Sequence, residues 1–314
     1  MNSTFNDSAF SSWGNSTVST DHLFVQKKPT EPISSLPVDS AMQARLSLKF
    51  KEDNGVTRLV GRDHFGQLYV QKPFYPEGSE MCQVVIVHPP GGVVGGDELK
   101  IVSQVGAAAK TQMTTPGAAK WYKGNNRISR QQVRHDVETG GSLEWLPQES
   151  IFFNQAHVEL DHCVTLAKES TYIGCEILCF GRTASGESFD EGEIKQRTSI
   201  RRADKLIWFE QLRLSGGSRA MSGPLMLAGK TVCATLIAVG EAIPPALITS
   251  MREEASVIAG GIGDFGVTQL KSVVVVRYLG NSSEIARRIM LRTWGVLRPA
   301  MLGRQAIVPR MWNT

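Results

Sequence analysis

No stretch of this sequence approaches the run of about 18 uninterrupted apolar residues that a membrane-spanning helix requires. A strong charge imbalance is missing too: 34 basic residues face 30 acidic ones, a net of +4 with His neutral. So mild an excess leaves no electrostatic footprint for nucleic acid. The basic residues are also scattered, with Arg201 and Arg202 followed at once by Asp204. Cysteine is scarce. Cys82, Cys163, Cys175, Cys179 and Cys233 are an odd number in a long chain and read as reduced thiols in a cytoplasm. The N-terminus shows no basic region leading into an apolar run, has no Arg before Arg45, and carries Asp7 and Asp21, so neither a signal nor a transit peptide is expected. The expectation is a soluble, cytoplasmic protein with no membrane or nucleic-acid partner.

Several chemical signatures are absent as well. The glycine-rich stretch "HPPGGVVGGD", residues 88–97, lacks the G-x-G-x-x-G spacing of a dinucleotide fingerprint and leads into a strand pattern. Without a helix to follow it, no row of free amides points at a phosphate. The one Gly-Lys-Thr, at 229–231, has Pro224 where a Walker loop needs its first glycine. No Gly-x-Ser-x-Gly elbow occurs. In "HVELDHC", His157, Glu159, Asp161 and Cys163 fall on one strand face, which reads as the wet side of a sheet. Cys175 and Cys179, four apart with Ile177 between them, suit buried thiols better than a zinc knuckle.

What the sequence does hold is a dense series of short strand patterns. Residues 1–40, rich in Ser, Thr, Asn and Pro, are expected to be a flexible extension, since they bury too little apolar surface to offset ordering. Residues 41–314 read as a single β domain. "ARLSLKF" alternates Ala44, Leu46, Leu48 and Phe50 on one face, and "EDNG" supplies hairpin chemistry. "MCQVVIVH" is the near-continuous apolar run of a doubly covered strand. Further strands are expected at 127–137, 143–146, 157–166, 171–180, 194–201, 205–214, 231–239 and 272–279. Two helices are expected: 245–259, opening on Pro244-Pro245, and 282–298, after Asn281 with Glu284 completing a capping box. An all-β-dominated fold with two C-terminal helices follows. The glycine stretch then becomes a structural loop: Pro89 and Pro90 fix φ, while Gly91, Gly92, Gly95 and Gly96 allow tight turns and close approach. It would hold Asp97 in a defined place at the mouth of the next strand.

Five segments carry a resemblance: "HPPGGVVGGDELKI", "TTPGAAKWY", "LEWLPQESIFF", "EILCFGRTASGESF" and "LRPAMLGRQAIVPRMW". In this order, and covering roughly residues 43–312, they are similar to the UreD (UreH) family of urease accessory proteins. The resemblance implies stacked sheets, somewhat like a β-helix, and no catalysis or tightly bound cofactor. It implies binding to apo-urease and to UreF, which recruits the GTPase UreG, so that Ni²⁺ reaches the urease active site. It further implies a transient passage of Ni²⁺ along acidic residues, which correspond here to Asp97, Glu176 and Glu210. Arg298, Pro299, Pro309 and Arg310 fall where the family meets UreF. On the residues alone, the three carboxylates can instead be ion-paired with Arg182, Lys120 or Arg213. Two other readings stay open: a cytosolic hydrolase pairing a carboxylate with a histidine such as His88, and a pure scaffold with no ion route.

Overall fold

Alternating apolar residues set the first element and fix which way it faces. The computed structural model describes residues 41–313, so the extension expected over residues 1–40 falls outside it. In β1 (Gln43–Asp53), Ala44, Leu46, Leu48 and Phe50 all point into the core. Asn54 and Gly55, both at positive φ, turn the chain into β2 (Val56–Phe65) as an antiparallel hairpin. The chain continues through β3 (Tyr69–Val70), β4 (Met81–Val87), β5 (Glu98–Val105), β6 (Lys110–Thr114), β7 (Ala119–Trp121), β8 (Ser129–Val137) and β9 (Ser142–Leu146). It then forms β10 (Ser150–Phe152), β11 (His157–Leu166), β12 (Thr171–Phe180), β13 (Glu193–Arg202) and β14 (Lys205–Ser215).

From β4 to β13, successive long strands alternate between two stacked sheets. The first has the order β14-β13-β11-β8-β5-β1-β2, and its pairs from β1 to β13 are parallel. In the second, β4, β6, β9 and β12 pair in parallel, one winding apart. Parallel neighbours one winding apart give a β-helix-like core, with β7 and β10 as a short side wall. After the short α1 (Arg219–Ser222), β15 (Val232–Val239) extends the second sheet antiparallel to β12. The chain then forms α2 (Pro245–Ala259), β16 (Asp264–Leu270), β17 (Val273–Gly280) and α3 (Ser283–Leu302). One core, including Leu48, Ile101, Trp121, Phe152, Val164 and Ile194, lies between the sheets. The second sheet also buries its outer face, where Ile173, Leu236 and Val276 pack on Met251, Ile289 and Trp294 of the helices.

Three sequence expectations need correction. The second helix is capped by Ser282, whose Oγ accepts from Ile285 N, so Glu284 sits one position too early for a capping box. Asn281 accepts from Thr231 N instead. The same helix runs through Pro299 to Leu302 and ends at left-handed Gly303, not at residue 298. The strand pattern also missed β6, β7, β10 and β16. Among the described residues, no helix is long and apolar enough to cross a membrane.

Candidate functional site: a buried polar strip between the sheets

The loop "HPPGGVVGGD" joins β4 to β5 at one corner of the winding. Gly91 and Gly96 take positive φ, and a Cβ on Gly92 or Gly95 would collide with the Tyr122 ring or the Gly124 backbone of the next corner. Asp97 is buried, and both its oxygens are spent on backbone amides. Oδ1 accepts from Met42 N at 2.9 Å and Oδ2 from Val94 N at 3.0 Å. It therefore fastens the glycine loop and the start of β1, as a carboxylate held by two amides can. The His88 side chain lines the adjoining cavity; burial pushes its pKa down, against the pull of Asp97.

Glu176 and Glu210 meet elsewhere, on the inner faces of β12 and β14. Four strands interrupt their apolar inner faces at nearly the same height. On β11 the interruption is His162, on β13 Gln196 and Thr198, on β14 Glu210, and on β12 Glu176. Strand register puts His162 beside Thr198 and Thr198 beside Glu210, while Glu176 on the other sheet pairs with Thr235. Glu176 Oε2 accepts from Gln196 Nε2 at 2.9 Å. Glu210 Oε2 lies 3.1 Å from Arg277 Nη2. Neither uses the Arg182, Lys120 or Arg213 partner suggested by the sequence. Arg182 pairs with Glu187 and Arg213 with Glu193.

Three spaces meet at this strip. A cavity of about 350 Å³ reaches from His88, Pro116 and Lys120 to Glu176. A pocket of about 20 Å³, close to the size of one water, is walled by His162, Tyr172, Glu176 and Glu210. A cleft of about 590 Å³ opens outward past Glu210, Phe209 and Leu225. Glu176 lines all three; Asp97 is in none of these walls among the described residues. Burial raises the Glu176 pKa to about 7, the Glu210 charge adds to this, and the Gln196 hydrogen bond opposes it. Burial lowers His162 to about 4 despite nearby Asp161. His162 also faces the Tyr172 hydroxyl and the ring of fully buried His135, whose Nδ1 lies 2.7 Å from Ser103 Oγ. Both histidines escaped the sequence reading, which took the opposite face of "HVELDHC". That face carries Glu159 and Asp161, ion-paired to Arg130, Lys195, Arg134 and Arg197.

Among the described residues, no three His, Cys, Asp or Glu side chains gather as a metal-holding group. Cys175 and Cys179 are buried free thiols, and burial pushes both to about 12. The C-terminal candidates divide. Arg298 is fully buried and cannot be a surface contact. Its Nε donates to Glu144 Oε1 at 3.0 Å, Glu77 Oε2 lies 2.7 Å from Nη1, and its guanidinium packs on Trp294. Burial opposes its charge, but the two carboxylates outweigh that and hold its pKa above the usual value. Pro309 is buried as well, and the neighbouring Trp312 Nε1 donates to Thr114 Oγ1 at 2.9 Å; Arg310 is exposed.

The UreD urease accessory protein family model matches residues 42–313. Urease accessory protein UreD of Nitrosospira multiformis is 60% identical over 276 residues, covering 88% of this chain and 99% of that protein. The protein of the same name from a Janthinobacterium species is 57% identical over 272 residues, with 87% and 92% covered. That of Methylobacillus flagellatus is 42% identical over 276 residues, with 88% and 96% covered. A match across nearly the whole described chain, with relatives this similar, means that the chain belongs to the UreD family of urease accessory proteins.

Proposed function

We propose that this chain is a urease maturation factor that binds apo-urease and, with UreF and through it the GTPase UreG, supports delivery of Ni²⁺ to the urease active site. Family membership supports the maturation role. The observation that carries the ion route is that one carboxylate, Glu176, fronts the inner cavity, the small pocket and the outer cleft. A divalent cation needs oxygen ligands at intervals and weak enough holding to leave each one. Arg277 offsets the charge of Glu210, so the strip attracts a cation without trapping it. Asp97 drops out of the route, because its oxygens serve backbone amides. It supports the route from outside, by fixing the loop that walls the cavity. Of the C-terminal set, Arg298 and Pro309 are buried and Pro299 half-buried, which leaves exposed Arg310 as the residue most available to UreF.

Such a chain performs no chemistry of its own. The hydrolase alternative pairs one of the acids with a histidine such as His88; for the nearest such pair, Asp97 has committed both oxygens to backbone amides. The test is urease activity in cells carrying the cognate urease operon and nickel, with and without this chain. Activity should collapse without it and return when it is supplied in trans. Equal activity in both would remove the maturation role. Alanine at Glu176 and Glu210, with complex formation checked, separates conduit from scaffold. Undiminished nickel delivery by an intact complex would leave only the scaffold.

A further inference from the structure

Gln196 spans the gap between the two sheets beside Glu176. It lies on the inner face of β13 and is 4% exposed. Its Nε2 donates to Glu176 Oε2 at 2.9 Å and to Thr198 Oγ1 at 2.8 Å, so both amide hydrogens are committed. The first of these bonds crosses from one sheet to the other. Gln196 and Glu176 are also the two described residues that line both the 350 Å³ cavity and the 590 Å³ cleft. The bond between them lies on the boundary the two spaces share.

We propose that the Gln196–Glu176 hydrogen bond is a bar across the interior passage, and that a divalent cation crosses by displacing the Gln196 amide from the carboxylate. This rests on the passage reading given above. A neutral amide suits the task. A Lys or Arg here would pair with Glu176 and leave a buried charge unmatched whenever the pair opened. An apolar side chain would leave the carboxylate with no donor from β13. The amide can also turn over, putting Oε1 where Nε2 stood, so that it faces the cation and accepts from the Thr198 hydroxyl. Gln196 is thus a positioning residue: it sets where the Glu176 carboxylate stands and when it is free.

The test is Ni²⁺-dependent activation of purified apo-urease by the complete accessory complex containing this chain, read as the half-saturating Ni²⁺ concentration. Gln196→Ala should lower that concentration about tenfold, the ratio equivalent to one hydrogen bond to a charged group. Partial misfolding lowers the plateau of activation and leaves half-saturation where it was, so the two effects separate. Half-saturation that stays put or rises overturns the bar. Thr198→Val, which removes the second acceptor of the amide, should move half-saturation in the same direction by a smaller factor. It decides the matter if the alanine variant fails to assemble. Glu176→Gln is measured alongside. Wild-type half-saturation in that variant removes the passage itself, whereas impaired delivery there with an unmoved Gln196→Ala removes only the bar.

Discussion

His162 shows what a titratable side chain does when an inner strand face closes over it. Its pKa of about 4 in the fold lies below the ordinary value of 6.5, with burial as the main cause. As pH falls through 6.5 the unfolded chain takes up a proton that the folded one refuses. Stability present above pH 6.5 is therefore lost progressively down to about pH 4. Between pH 7 and pH 5 this one group should cost about 2 kcal/mol of unfolding free energy. His135, also held well below the ordinary value by its burial and by neighbouring His162, acts in the same direction. Urea unfolding of the wild type and His162→Gln at both pH values checks it, and the variant should lose less stability on acidification. The signal that locates such residues was present in the sequence, in a form that hydrophobic pattern alone does not weigh. Val158, Leu160, His162 and Val164 share one strand face, as do Ile194, Gln196, Thr198 and Ile200. A polar residue breaking an otherwise apolar face is a site marker only when neighbouring strands break at the same height. That height depends on register, which one strand cannot reveal. Glu176 and Glu210 were named through family resemblance, and Asp97 with them. The structure brings the first two together and gives the third a different task.

At the scale of elements, the third helix tests how local rules set a boundary. Ser282 caps it through the Ile285 amide at 3.2 Å. Ser282→Ala should cost about 1 kcal/mol of global stability, read as a lower denaturant midpoint with an unchanged m-value. Asn281→Ala probes the Thr231 amide instead, because that is where its oxygen goes. Two hydrogen-bonding residues in succession made the cap ambiguous by one position in the sequence, and tertiary contact with residue 231 decided it. The long strands were legible for a simpler reason. Each presents an alternating or continuous apolar face, and β11 and β12 match their expected limits residue for residue. The missed strands hide that signal. In β6, Thr111, Gln112 and Thr114 are polar yet buried, since this strand is covered on both faces. β7 and β10 have three residues each, too short for any period to show.

Across the whole molecule, the two ends of the sandwich are finished differently. At one end β2 closes the first sheet with a charged edge bearing Arg58, Arg62 and Asp63. Charge of this kind keeps an edge strand from pairing with a second chain. The other end carries β14 and β16, the terminal strands of their sheets, with the 590 Å³ cleft lined by residues from both. Its rim is apolar: Leu225 is 96% exposed and Phe209 52%, with Met226 exposed beside them. Apolar side chains gathered at one place, rather than scattered, drive association when nothing covers them. The isolated chain should therefore self-associate with rising concentration, and this end should be responsible. Replacing Phe209 and Leu225 with Ser removes exposed apolar surface without touching either core, so the unfolding free energy should stay within about 0.5 kcal/mol of wild type per substitution. Light scattering against concentration should then show the double variant remaining monomeric where the wild type does not. Equal scattering from both would place the adhesive surface elsewhere, with the exposed Val60 and Phe65 of β2 as the next pair to change.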